Sequence, residues 1–162
     1  MARILGVSQP AIEEVIRTFP GVEHRIEYVD TINGVRIYND SKATNTHSAE
    51  AALSSFKGKV YLLAGGKNKG IDYTVLKDYD SVVKKCCSFG QIGPMFADIF
   101  SNTEVFETMD EAFNQAFEEA EEGDVILLCP ATSSFDQFKN YEVRGRYFKD
   151  LVHKKREEVE SA

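Results

Sequence analysis

A mostly parallel, doubly wound α/β sheet with an antiparallel β-hairpin at its N-terminal end is the fold that the sequence predicts, and three observations predict it. The runs "KVYLLAGG" and "DVILLCP" are continuously apolar, the pattern of strands buried on both faces. They alternate with helical patterns, and parallel neighbours need such crossover connections. Ahead of the alternation, Asn33-Gly34 separates two β-branched and aromatic runs, the strongest short-range hairpin signal. At 162 residues and 43% hydrophobic content the chain can bury roughly 70% of its unfolded surface, which suits one compact domain, alone or with an appendage.

Taken in order, "SQPAIEEVIRTFPG" predicts a short helix, with Ser8 as N-cap, Pro10 in the first turn and Pro20-Gly21 as the stop. Residues 25–32 and 35–39 are the hairpin strands. "THSAEAALSSF" places Ala49, Ala52, Leu53 and Phe56 on one helical stripe, and "KVYLLAGG" follows as a strand. "YTVLKDY" and "GPMFADIF" read as short helices, "VVKKCCSFG" and "TEVFET" as strands. Met109, Ala112, Phe113, Ala116, Phe117 and Ala120 form the apolar face of a further helix that Gly123 ends. Its acidic face, with Glu118, Glu119 and Glu121, reads as solvated. After "DVILLCP", "NYEVRGRYFKDLVHKKREE" closes the fold as a helix with Val143, Tyr147, Leu151 and Val152 inward. The arrangement is Rossmann-like.

Charge and composition exclude several functions. The formal charge of −7 disfavours a nucleic-acid partner, and the one basic run, residues 153–156, is followed at once by two glutamates. The N-terminal stretch has no apolar core of a signal peptide and no segment approaches the ~18 apolar residues of a membrane span, so a cytoplasmic protein without membrane association is expected. Cys86, Cys87 and Cys129 have neither disulfide-framework nor metal spacing and read as buried core residues.

In an open parallel sheet, ligands bind beyond the carboxyl ends of the strands. Three polar segments follow predicted strands: residues 39–45, 65–72 and 130–141. Each has a plain structural reading. "AGGKNKG" lacks the spacings of the glycine-rich nucleotide fingerprints. "PATSSFDQF" fits a helix entry, with Ser133 or Ser134 as N-cap and Asp136 near the positive end of the dipole. "NDSKATN" fits capping by Asn45 or Thr46 with Lys42 in water. Their convergence on one rim, with lysines, hydroxyls and backbone N–H groups, favours a small dianionic ligand.

"HRIE" at 24–27, "NDSKATN" at 39–45, "AGGKNKG" at 64–70, "GDVILLCPATSSFDQF" at 123–138 and "NYEVRG" at 140–145 occur in an order and spacing that resemble the C-terminal domain of the Mur ligases, in the branch that adds D-glutamate. "NDSKATN" separates that branch from relatives that add other amino acids and from the folylpolyglutamate synthases. The resemblance implies ATP-dependent amide-bond formation in peptidoglycan precursor synthesis, and so a part in cell-wall biogenesis, cell shape and division. ATP would phosphorylate the carboxylate of UDP-N-acetylmuramoyl-L-alanine, and the amine of D-glutamate would attack the acyl phosphate. By the same resemblance Thr44 and Lys69 hold the α-carboxylate of D-glutamate, Ser134 and the backbone around Tyr141 its side-chain carboxylate. Arg25 and Asp40 meet the ribose and phosphate side of ATP, and Lys42 stands near the phosphates and the transition state as the catalytic group. Tyr141 replaces the family's usual Phe. The phosphate-binding loop, the ligands of Mg2+ and the UDP-binding region of the family are not in this sequence. Residues 1–21 are then expected to be the tail of a preceding ATPase domain and its linker, and 22–162 the amino-acid-binding domain, a monomer inactive by itself. The alternative expectation is a stand-alone Rossmann-like binding module without ligase activity. His24, His47 and His153 are read as structural.

Overall fold

The computed structural model describes residues 3–19 and 21–161. Helix α1 (Gln9–Thr18) follows Ser8 with Pro10 in its first turn, although the Ser8 side chain makes no capping bond. It ends at Phe19, and the expected stop at Pro20 lies outside the described residues. No side chain of α1 is buried.

The hairpin forms where the Asn33-Gly34 signal places it: β1 (Glu27–Ile32) pairs antiparallel with β2 (Val35–Asn39), both turn residues having positive φ. After β2 come α2 (Thr46–Leu53), β3 (Val60–Gly65), β4 (Val83–Phe89), β5 (Thr103–Phe106), α3 (Met109–Glu119), β6 (Val125–Leu128) and α4 (Tyr141–Glu160). The six strands lie in the order β1-β2-β6-β3-β4-β5, and every pairing except β1 with β2 is parallel.

The sheet is covered on both faces. On one, Leu62, Ala64, Cys86 and Leu127 pack under Ala49, Ala52 and Leu53 of α2, with Leu76 and Phe96 beside them. On the other, Ile37, Leu63, Cys87 and Ile126 meet Phe113 and Ala116 of α3 and Phe148 and Val152 of α4. Phe113 and Phe148 meet edge to face, ring centroids 5.6 Å apart, and join the two helices. All three cysteines are free and buried.

Four details depart from the sequence expectation. The segments 74–79 and 93–98 are 3-10 turns rather than α-helices, because six residues suffice to seat Leu76 and Phe96 on the sheet and the tighter helix is used in such short pieces. Helix α3 opens with a reciprocal capping box between Thr108 and Glu111 and stops at Glu119, where Ala120 turns extended; Gly123, with φ 91°, serves the turn into β6 instead. Two of the three acidic residues read as solvated are paired: Glu119 accepts from Lys85 at 2.6 Å and Glu121 lies 3.6 Å from Lys84. The inward face of α4 is Arg144, Gly145, Phe148 and Val152, whereas Val143 and Tyr147 are exposed and Leu151 is half-buried. Both stripes have helical spacing. The buried one contains an arginine, which hydrophobic patterning counts as outward.

Candidate functional site

The insertion of β6 between β2 and β3 sets the carboxyl ends of three neighbouring strands side by side. The loops that leave them are the three polar segments, tied across the rim by backbone bonds: Asp40 N–H to Leu128 O at 2.8 Å, Cys129 N–H to Leu63 O at 3.0 Å and Gly65 N–H to Pro130 O at 3.0 Å. The glycine pair after β3 lets the loops approach. At Gly66, with φ 135°, a Cβ would stand 2.4 Å from the Ser133 carbonyl oxygen.

Two cavities open on this rim. The first, about 280 Å³, is lined by Arg25, Asp40, Lys42, His47 and Ser48 with the start of α2. It gathers all three residues expected at the nucleotide. Asn45 caps α2 by accepting from Ser48 N–H at 2.8 Å, which settles the choice between Asn45 and Thr46. Asp40 is 4% exposed and accepts from Ile26 N–H at 3.2 Å. Burial pushes its carboxyl up to about 6, against the backbone hydrogen bond and the nearby Arg25, which favour the charged form.

The second cavity, about 230 Å³, is lined by Thr44, Lys69, Ser133, Ser134, Phe135, Asn140 and Tyr141. It gathers all four residues expected at the amino acid. Lys69 Nζ donates to the Thr44 carbonyl at 3.0 Å and so is held over the cavity by the opposite loop. The Ser134 hydroxyl is buried with no hydrogen-bond partner among the described residues. Ser133 and Ser134 are not helix caps: Ser134 O accepts from Gln137 and Phe138 in a turn, and Asn140 caps α4 by accepting from Val143 N–H. Asp136 accepts from Gln91 N–H at 3.2 Å rather than facing a helix dipole. Lys42 spans the two cavities, lining the first while its Nζ stands 5.7 Å from the centroid of the Tyr141 ring in the second.

The arrangement can do three things chemically. Cavity one offers cations beside a helix start to an anionic group, with one carboxyl for hydroxyls. Cavity two offers an ammonium and several hydroxyl-bearing side chains to a small ligand carrying carboxylates. The ammonium between them is placed to stabilise charge that develops at the junction.

Behind the cavities lie His24, read from the sequence as structural, and two groups to which sequence reasoning gave no role, Ser41 and Arg144. His24 is buried with φ 66°, its Nδ1 accepting from the Asn39 amide at 2.9 Å, and its carbonyl accepts from Lys42 N–H at 3.1 Å. Burial holds the imidazole below the usual histidine range despite Glu23 and Glu27 nearby. The ring fits because α4 has glycine opposite it: a Cβ on Gly145 would lie 2.3 Å from Nδ1. Ser41 and Arg144, also buried, were the least visible; the adjacency of Arg144 to Gly145 in "NYEVRG" was the one available signal. Among the described residues no three His, Cys, Asp or Glu side chains are placed to hold a metal ion, and no helix is long and apolar enough to cross a membrane.

The family described as "Mur ligase, glutamate ligase domain" matches residues 24–132. The UDP-N-acetylmuramoylalanine–D-glutamate ligases of Bacillus mycoides (strain KBAB4) and Bacillus anthracis (strain A0248) are each 45% identical over 159 residues, 95% of this chain. The chain spans about a third of the length of these curated relatives, 35% of each. Among solved structures, E. coli FolC in complex with ADP superposes with a TM-score of 0.62 at 20% identity, covering 92% of this chain and 36% of that one. MurF from Acinetobacter baumannii gives 0.62 at 14% identity, covering 94% and 35%. At such identities these structures speak for the fold, in which this sheet and its covering helices recur. With a family match that takes in the whole lining of the first cavity and Thr44 and Lys69 of the second, and relatives 45% identical over 95% of the chain, the chain belongs to the Mur ligases, as their glutamate ligase domain.

Proposed function

We propose that this domain binds D-glutamate and closes over ATP within a ligase that joins D-glutamate to UDP-N-acetylmuramoyl-L-alanine. In the proposed reaction the γ-phosphoryl group of ATP passes to the muramoyl-alanine carboxylate, releasing ADP. The D-glutamate amine then attacks the acyl phosphate, forming the amide and releasing phosphate and a proton. Thr44 and Lys69 take the α-carboxylate, and Ser134 with the backbone around Tyr141 takes the side-chain carboxylate. Arg25 and Asp40 meet the ribose and phosphate side of ATP. Lys42 lies where phosphate charge develops and acts electrostatically rather than as a nucleophile. We place the ligands of Mg2+ and the UDP-binding region outside this chain, and residues 1–21 as a tail and linker from a preceding ATPase domain, in keeping with an α1 that buries no side chain. The domain by itself would then turn over nothing.

One observation carries the reading: the seven residues assigned to two ligands separate without mixing into two adjacent cavities, except for Lys42, which spans them. Cavity two also has the right free valence, a buried hydroxyl without a partner, for a carboxylate. The test is steady-state kinetics of the full-length ligase carrying this domain. Lys69→Ala should raise KM for D-glutamate about tenfold or more with kcat little changed. Lys42→Ala should lower kcat by about 10²–10³ with KM little changed. The reverse pattern would exchange their roles, and two unaffected variants would remove both from the site.

A further inference from the structure

Arg144 lies in neither cavity, yet it touches the loops that build both. The residue is 0% exposed, and no carboxylate pairs with it among the described residues. Burial pulls its guanidinium down to about 10, so it is still charged at neutral pH. The Asp136 carboxylate nearby favours the charged form without pairing with it; a buried cation without a direct ion pair is costly, and methionine or leucine would fill the same space without that cost. Its Nε and Nη2 donors go instead to loop groups, while Nη1 is buried with no partner among the described residues. Nε donates to Ser41 Oγ at 3.0 Å and Nη2 to Ser41 O at 2.9 Å; Nη2 also reaches Thr132 O at 3.1 Å.

Each contact continues outward. Ser41 Oγ passes its proton's bond to Tyr141 O at 2.7 Å, and Ser41 sits between Asp40 and Lys42. The Thr132 hydroxyl donates to Lys67 O at 2.7 Å, and Lys67 N–H donates to Ser133 O at 2.9 Å. Gly66 admits the guanidinium edge, since a Cβ there would lie 3.3 Å from Nη1. The planar fork of an arginine reaches two carbonyls at once in fixed directions, which the single ammonium of lysine does not.

We propose that Arg144 is a positioning residue: by bridging Ser41 and Thr132 it holds the loop of Lys42 and Thr44 in register with the loop of Ser134, and so sets the spacing between the two cavities. What the loops carry rests on the function proposed above; the bridge itself does not.

The test is amide hydrogen exchange on this chain without ligand, comparing wild type with Arg144→Met, which keeps bulk, and Arg144→Lys, which keeps charge. Exchange should speed at least tenfold at Lys42, Lys67 and Phe138 in both variants while Leu63 of β3 and Ala116 of α3 keep their wild-type rates. An equal acceleration at all five sites would mean that Arg144 only stabilises the fold, and unchanged loop rates would mean that it holds nothing; either overturns the proposal. Ser41→Ala gives a second decision if the Arg144 variants fail to fold. It should speed Lys67, on a loop that Ser41 does not touch, and changes confined to residues 39–45 and 141–144 would overturn the bridge. A wild-type chain indifferent to D-glutamate would sink the amino-acid assignment but leave these rates to decide the bridge.

Discussion

Asp40 shows how a residue of the candidate site works against the fold that holds it. Its carboxyl is raised from an ordinary 3.8 to about 6 because the buried charged form loses hydration. The folded protein therefore holds this proton more tightly than the unfolded chain. Stability falls as pH rises from 3.8 to about 6, then levels. Asp40→Asn should remove that loss: thermal unfolding should show no gain near pH 4 and a gain of up to about 3 kcal/mol at pH 7. The same residue marks what sequence could and could not convey. The polar run 39–45 was visible as overbuilt for a cap, because capping accounts for Asn45 and not for Asp40, Lys42 and Thr44. That Asp40 is buried, and Ser41 beneath it bonded to α4, depends on contacts with residues a hundred positions away, which no local pattern carries.

At the scale of the element, α4 is where sequence and structure part. Its existence, length and end were legible from periodicity. Its rotation about its own axis was not, because Val143-Tyr147-Leu151 and Arg144-Phe148-Val152 are spaced alike and a charged residue argues against the true face. The structure gives the two stripes opposite mutational weight. Phe148→Ala, which empties a fully buried site against Phe113, should cost about 3–5 kcal/mol in denaturant unfolding. Val143→Ala, on the exposed stripe, should change stability by no more than about 0.5 kcal/mol. Gly145→Ala should be far worse than its one methyl implies, because the Cβ would collide with the His24 ring at 2.3 Å and unseat the segment next to Arg25. Strand identity was easier to read than helix rotation: β3 and β6 are buried along their whole length, so a continuous apolar run suffices to identify them.

Over the whole molecule, topology makes the site. The strand order could not be read from the chain, but the rule that ligands gather beyond the carboxyl ends of a parallel sheet predicted that the three loops would share a rim. The insertion of β6 is what brings them within bonding distance. The surrounding core is chemically quiet. Burial pushes the thiols of Cys86 and Cys129 well above their ordinary value and that of Cys87 up to about 12. None of the three should react with a thiol reagent in the native protein, and all three should react in denaturant. The central claim, that cavity two receives D-glutamate, is tested most directly by titrating each glutamate enantiomer into the isotope-labelled domain and following its amide resonances. D-glutamate should shift Thr44, Lys69, Ser134 and Tyr141, in the millimolar range, and L-glutamate should shift them less. Shifts clustered elsewhere, or identical responses to the two enantiomers, would contradict it.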